Sequence, residues 1–188
     1  MKKGNIFFVI GPTASGKTVI INYILKNKKN ILRAISYTTR EKRPREINGI
    51  DYFFVSEEEF KNLIKQNKFI EYSKVYGNYY GTGKDSFSKI EEGYDVIKII
   101  DYKGAKKFKN SGIKAKYFFF APEDIETLIE RLKQRGDKDI EERIKVYKEE
   151  MKFKKECDYY IDTSGSSDSD IAKRSNELIK IIDNIDTT

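Results

Sequence analysis

Near the N-terminus, "NIFFVIGPTASGKT" (residues 5–18) runs an unbroken apolar segment into a glycine-bounded loop that ends in Lys-Thr. No other stretch restricts the fold as tightly. A short continuous apolar run that stops at a glycine reads as a strand buried on both faces. The pattern Gly11, four free positions, Gly16, Lys17, Thr18 is that of a loop whose successive backbone N–H groups surround phosphate oxygens. On that pattern Gly11, Pro12, Thr13, Ala14, Ser15, Gly16, Lys17 and Thr18 cradle the phosphates of a nucleotide. Lys17 reaches the outer ones and the Thr18 hydroxyl holds Mg²⁺. The loop leaves open which molecule receives the phosphate.

The remaining composition narrows the chemistry. Length of 188 residues suits one domain with a full core, and 38% hydrophobic residues, including 13 Tyr and 12 Phe, suit a folded interior. With one cysteine and no histidine, an internal disulfide, a Cys/His metal site and an imidazole base are excluded. Chemistry therefore rests on positioning and charge. The formal charge of +7 comes from Lys and Arg interleaved with acids, with "KKFKNSGIKAK" the most lopsided run. That spread is a solvated surface rather than a dedicated basic arm, so no nucleic-acid partner is expected. No run is long enough to span a membrane, and "FFVI" is too short for the core of a signal peptide. A cytoplasmic protein with no membrane partner, monomeric or homodimeric, is the expectation.

Along the chain, strands are predicted at 5–10, 33–37, 51–55, about 69–76, 94–100, 115–120 and 158–161. Helices are predicted over 17–28, 57–66, 84–91, 103–110, 123–134, 140–156 and 169–185, opening on caps such as Ser56 and Asp168. This alternation predicts an α/β three-layer fold, a parallel sheet covered on both faces with phosphate chemistry at the carboxyl ends of its strands. The Tyr-rich segment 38–83 breaks the rhythm: "DYFFVS" and "FIEYSKVYGNYYGT" flank one helix and read as a small sheet inserted into the core.

Four further stretches, "SYTTREKR" (36–43), "NGIDYFFV", "FIEYSKVYGNYYGT" and "IIDYKGA", follow the loop in order. Together with it, from about residue 5 to residue 180, the chain resembles the guanylate kinases, P-loop enzymes that move the γ-phosphoryl group of ATP to GMP. The resemblance implies one domain with a core at 1–37, 84–135 and 144–188, a monophosphate-binding insertion at 38–83 and a lid at 136–143. It implies Mg²⁺ with ATP as donor, and GMP as acceptor held by Ser36, Arg40, Arg43, Tyr52, Glu71, Tyr80, Thr82 and Asp101. It also implies that Lys17, Arg40, Asp101 and the arginines of "ERLKQRG" and beyond, Arg131, Arg135 and Arg143, serve the transfer.

The chemistry of guanine agrees with that assignment. Its edge presents N1–H and N2–H₂ donors beside an O6 acceptor, so a matching site needs a carboxylate and hydroxyls; Glu71 supplies the first, Ser36 and Thr82 the second. Arg40 and Arg43 offer guanidinium forks to a phosphate, and Tyr52 and Tyr80 add hydroxyls. Asp101 suits either an outer contact to Mg²⁺ or the guanine edge.

Three departures from the family pattern stand out. The earlier of two acids usual at the strand end is Ile99, the lid from Arg135 to Arg143 is short, and the asparagine usual by the donor adenine is Thr163. The missing acid leaves room for a related kinase acting on another phosphorylated small molecule. A non-catalytic interaction module is a further alternative, opposed by the intact Lys17 and Thr18. The "GTGKDS" run lacks a third glycine and lies far from the first strand, which argues against dinucleotide binding.

Overall fold

In a computed structural model describing residues 2–75, 77–137 and 139–185, the first strand, β1 (Ile6–Ile10), is buried along its whole length. It lies at the centre of a five-stranded parallel sheet in which β2 (Ile31–Arg33), β7 (Asp95–Ile99), β1, β8 (Lys116–Ala121) and β9 (Tyr159–Asp162) follow one another. A central parallel strand has no solvent side, which is why "IFFVI" and "KYFFFA" carry apolar residues without alternation. Ile6, Phe8 and Ile10 join Phe108 of α3 (Tyr102–Asn110) on one face. Phe7 and Val9 join Ile21 of α1 (Lys17–Asn27) and Leu178 of α6 (Asp168–Asp183) on the other.

The second sheet has the order β4 (Tyr52–Phe54), β3 (Ser36–Thr38), β6 (Asn78–Gly83), β5 (Phe69–Val75), with β3 and β4 parallel and the other pairs antiparallel. Its two faces differ in chemistry. Tyr37, Phe53, Phe69, Tyr72 and Tyr79 cluster with Phe60 of α2 (Glu57–Lys65) on one side. The row Tyr52, Ser36, Thr82, Glu71 runs directly across all four strands on the other. Phe69 and Glu71 are two residues apart and would share a face in a regular strand. A bulge between them, with Ile70 as the extra residue, sends them to opposite faces.

The structure corrects several sequence-based expectations. The strand expected at 33–37 is two strands in different sheets. The Ala34 amide donates to Ile97 in the first, after which the chain crosses over and Ser36 starts β3. "NYYGTG" is a strand of its own, β6, paired with β5. The helix expected at 84–91 is a turn followed by a 3₁₀ segment, Ser88–Glu92, because Ser86 and Ser88 bond three residues back, to Gly83 and Asp85. The last helix is capped by Ser167 rather than Asp168, in a reciprocal box with Asp170. The expected helix 140–156 is α5 (Ile140–Phe153) with a 3₁₀ turn, Lys154–Glu156, behind it. Among the described residues no helix is long and apolar enough to cross a membrane.

Candidate active site

The phosphate loop leaves β1 at Gly11 and ends in the first turn of α1, so its amides and the positive end of the helix point the same way. Gly11 is fixed by packing, since a Cβ there would lie 2.0 Å from the Phe120 carbonyl oxygen of neighbouring β8. Lys17 bends back over its own loop and donates to the carbonyls of Gly11 (2.7 Å) and Pro12 (2.6 Å) and to Ser15 Oγ (3.1 Å). Burial lowers the affinity of its ammonium for the proton, opposed by the charge of Glu150. Burial in turn pushes the Glu150 carboxyl up, opposed by Lys17. Glu150, on α5 and 6% exposed, escaped the sequence reading; a glutamate amid "KEEMKFKKE" carries no local sign of burial.

Two cavities meet at this loop. The first, of about 360 Å³, is walled by Ser36, Tyr52, Glu71, Tyr80 and Asp101, and Arg40, Arg43 and Arg143 line it as well. Glu71 is 7% exposed, and its Oε1 accepts from Thr82 Oγ1 at 2.5 Å. Its Oε2 is buried with no hydrogen-bond partner among the described residues. Burial raises the Glu71 pKa, while the Thr82 hydroxyl and the Lys98 ammonium pull it down. A buried carboxylate oxygen without a donor is costly unless a ligand supplies one.

Arg40 and Arg43 stand side by side because one acid holds both. The Arg40 guanidinium donates to the two carboxylate oxygens of Glu46 at 2.7 and 2.9 Å, and the Arg43 amide donates to Glu46 at 2.8 Å. Burial alone would raise the Glu46 carboxyl, yet these donors and charges hold it below the usual carboxylate range. The Arg40 plane also lies over the rings of Tyr52 and Phe54. Glu46 was absent from the sequence reading, although an acid three and six residues after two arginines in "REKRPRE" was the available signal.

Asp101 is more committed than the sequence suggested. Its Oδ1 caps α3 by accepting from the amides of Lys103 and Gly104 at 2.8 and 2.9 Å, and its Oδ2 accepts from Ser73 Oγ at 2.5 Å. It borders the first cavity rather than the second.

The second cavity, of about 720 Å³, runs from Thr13–Thr18 past Arg131 and Arg135 to Thr163 and Arg174. Ile99 borders both cavities, so the position where the family pattern has its earlier acid is an apolar divider between them. The three nominated arginines part company. Arg131, on α4 (Ile125–Gln134), donates to the carbonyls of Thr163, Ser164 and Gly165, at 2.7, 3.0 and 3.2 Å. Arg135 and Arg143 share Asp137, at 2.5 and 2.8 Å, across the short link between α4 and α5, and Arg143 also reaches Thr13 Oγ1 at 3.4 Å. Arg143 thus faces the phosphate loop from the first turns of α5.

The guanylate kinase family profile matches residues 3–183. The chain belongs to the guanylate kinase family. It is 39% identical to the guanylate kinase of Caldanaerobacter subterraneus subsp. tengcongensis over 85% of this chain and 80% of that one. It is 39% identical to that of Buchnera aphidicola over 97% and 88%. The crystal structure of guanylate kinase from Anaplasma phagocytophilum superposes with a TM-score of 0.76 at 28% identity, covering 97% of this chain and 86% of that one. A shikimate kinase from Bacteroides thetaiotaomicron, at 13% identity and a TM-score of 0.52, shares the fold alone. The α/β P-loop architecture and the small sheet bearing the Ser36–Thr82–Glu71 row are therefore those of a guanylate kinase family member.

Proposed function

We infer that this guanylate kinase family member is an ATP:GMP phosphotransferase, converting ATP and GMP to ADP and GDP. A phosphate oxygen of GMP forms a bond to the γ-phosphorus as the bond from that phosphorus to the β,γ-bridging oxygen breaks, and ADP leaves. The observation that carries the acceptor assignment is the unpartnered, buried Glu71 Oε2 in a row with Thr82 and Ser36. The carboxylate meets guanine N1–H and N2–H₂, and the Ser36 hydroxyl meets O6. Adenine would set an acceptor against the acid, leaving buried groups unpaired on both sides. Arg40, Arg43, Tyr52 and Tyr80, which line the same cavity, take the GMP phosphate.

ATP occupies the second cavity with its phosphates on the loop amides and Lys17, which must leave its own carbonyls to do so. Arg135 and Arg143 exchange Asp137 for the transferring group, while Arg131 stays with the loop after β9. Transfer of this kind asks for orientation and cationic stabilisation and needs no protein nucleophile. Mg²⁺, when bound, neutralises charge on the β- and γ-phosphates. Thr18, at the start of α1 on the wall of the second cavity, would hold it through its side-chain hydroxyl. Such chemistry belongs in the cytoplasm, where both nucleotides are found.

Incubation with Mg-ATP and each nucleoside monophosphate in turn tests this. GMP should be turned over with a kcat/KM at least about 100-fold above AMP or UMP. Glu71→Gln should lower kcat/KM for GMP by about 100-fold while leaving the affinity for ATP unchanged. Preference for another monophosphate, or indifference to Glu71→Gln, would overturn the reading.

A further inference from the structure

Lys98 is among the most deeply buried side chains of the described residues, 1% exposed, near the carboxyl end of β7. Its neighbours along the chain, Val96, Ile97 and Ile100, are apolar core residues. An ammonium there is more costly than the leucine or methionine that would fill the same space. Its hydrogen-bond partner among the described residues is Ser36 Oγ, at 2.6 Å. The charged groups facing it are Glu71 from β5, Asp101 from the cap of α3 and Arg33 from β2. Burial lowers its pKa to about 8, with Glu71 acting in the opposite direction. Ser36 and Glu71 both border the acceptor cavity, and Lys98 stands behind them without touching it.

The direction of the bond to Ser36 matters. A lysine ammonium has only donors, so the Ser36 oxygen must accept from it. One lone pair is then occupied, and a cation 2.6 Å behind the oxygen makes the hydroxyl a stronger donor and a poorer acceptor toward the cavity. A purine that presents an acceptor at position 6 is favoured, and one that presents an amino group is opposed. The same charge favours the ionised form of Glu71, the form that accepts from N1–H and N2–H₂.

We propose that Lys98 is a positioning residue for acceptor specificity: from beneath the pocket it orients the Ser36 hydroxyl toward O6 and supports the Glu71 carboxylate, so that the site admits 6-oxopurine monophosphates and rejects 6-aminopurine ones. This rests on the GMP kinase reading above and adds to it a residue outside the cavity.

Steady-state kinetics of the wild type, Lys98→Met, Ser36→Ala and the double variant with GMP, IMP and AMP test it. Lys98→Met should raise KM for both GMP and IMP by about 10- to 50-fold, because both carry O6, with kcat within about twofold and KM for ATP unchanged. The preference for GMP over AMP should shrink by at least about tenfold. Because Lys98 acts through Ser36, the double variant should lose less than the product of the two single losses. Lys98→Arg, which keeps a cationic donor, should recover part of the loss. Unchanged GMP kinetics in Lys98→Met, equal losses for ATP and GMP, or strictly multiplicative effects with Ser36→Ala would overturn the proposal. If Lys98→Met does not fold, lysine ¹³Cε resonances of the wild type decide: GMP should move the buried lysine's signal and ATP should not, and no response to GMP overturns it. A wild type inert toward GMP would instead sink the underlying activity and this proposal with it. An active wild type with an indifferent Lys98 sinks the proposal alone.

Discussion

Gly104 shows how little room the acceptor site leaves. A Cβ at this position of α3 would sit 2.8 Å from Ile100 Cγ1 and 3.0 Å from Glu71 Oε2, so the helix approaches the Glu71 carboxylate as closely as a bare backbone allows. Gly104→Ala should therefore push Glu71 out of line, raising the dissociation constant for GMP about tenfold by calorimetry while ATP binding stays as it was. The overpacking should also cost about 1–3 kcal/mol of stability. At this scale the sequence was legible where a residue carried a motif with it. Lys17, Arg40, Arg43, Glu71 and Thr82 could all be named from their neighbours in the chain. It was silent where function depends on a neighbour from a distant element. Lys98 meets Ser36 across 62 positions, and Glu150 and Lys17, from opposite ends of the chain, act on each other's charge at one cavity. Neither pairing leaves a mark in a window of ten residues, and both look like ordinary surface charges until the fold buries them.

Among the elements, α2 starts at the cap residue the sequence indicated, Ser56. Ser56, expected as the cap, accepts at Oγ from the Glu59 amide at 3.1 Å, and the structure adds the reciprocal bond, the Ser56 amide donating to the Glu59 carboxylate at 2.7 Å. That helix seats Phe60 under the aromatic face of the small sheet. Ser56→Ala should cost about 1 kcal/mol and lower Tm by about 2–4 °C, without altering kcat, because α2 packs on the aromatic face of the sheet, away from the cavity that Ser36, Tyr52 and Glu71 line. The strands of the same sheet were harder to read. Three-residue strands such as β3 and β4 are too short to show a period, and β2 and β3 are separated by only two residues although they serve different sheets. The bulge at Ile70 was invisible for the same reason: alternation predicts that Phe69 and Glu71 share a face, and only pairing with Gly83 and Thr82 shows that they do not.

For the whole molecule, the site stores charge in places that folding disfavours. Burial holds Lys98 down to about 8 against an ordinary 10.5, so between those values the unfolded chain binds more protons than the folded one. This group's contribution to stability therefore rises with pH across that window and is least favourable below it. Measured as the stability difference between wild type and Lys98→Met, the balance should move toward the wild type by about 1 kcal/mol per pH unit from pH 8 upward. Denaturant titrations at pH 7.5, 8.5 and 9.5 would reveal the trend, and parallel curves would show that the lysine is solvated. The sequence carried the architecture because the parallel core announces itself in "IFFVI", "DVIKI" and "KYFFFA", whereas the way two sheets share a cavity is a property of the assembled chain. The row Tyr52, Ser36, Thr82, Glu71 draws one residue from each of four strands. Because the row spans four separate strands, a one-residue slip of any of them would turn its member to the opposite face, so the pocket is only as exact as the registration of the whole small sheet.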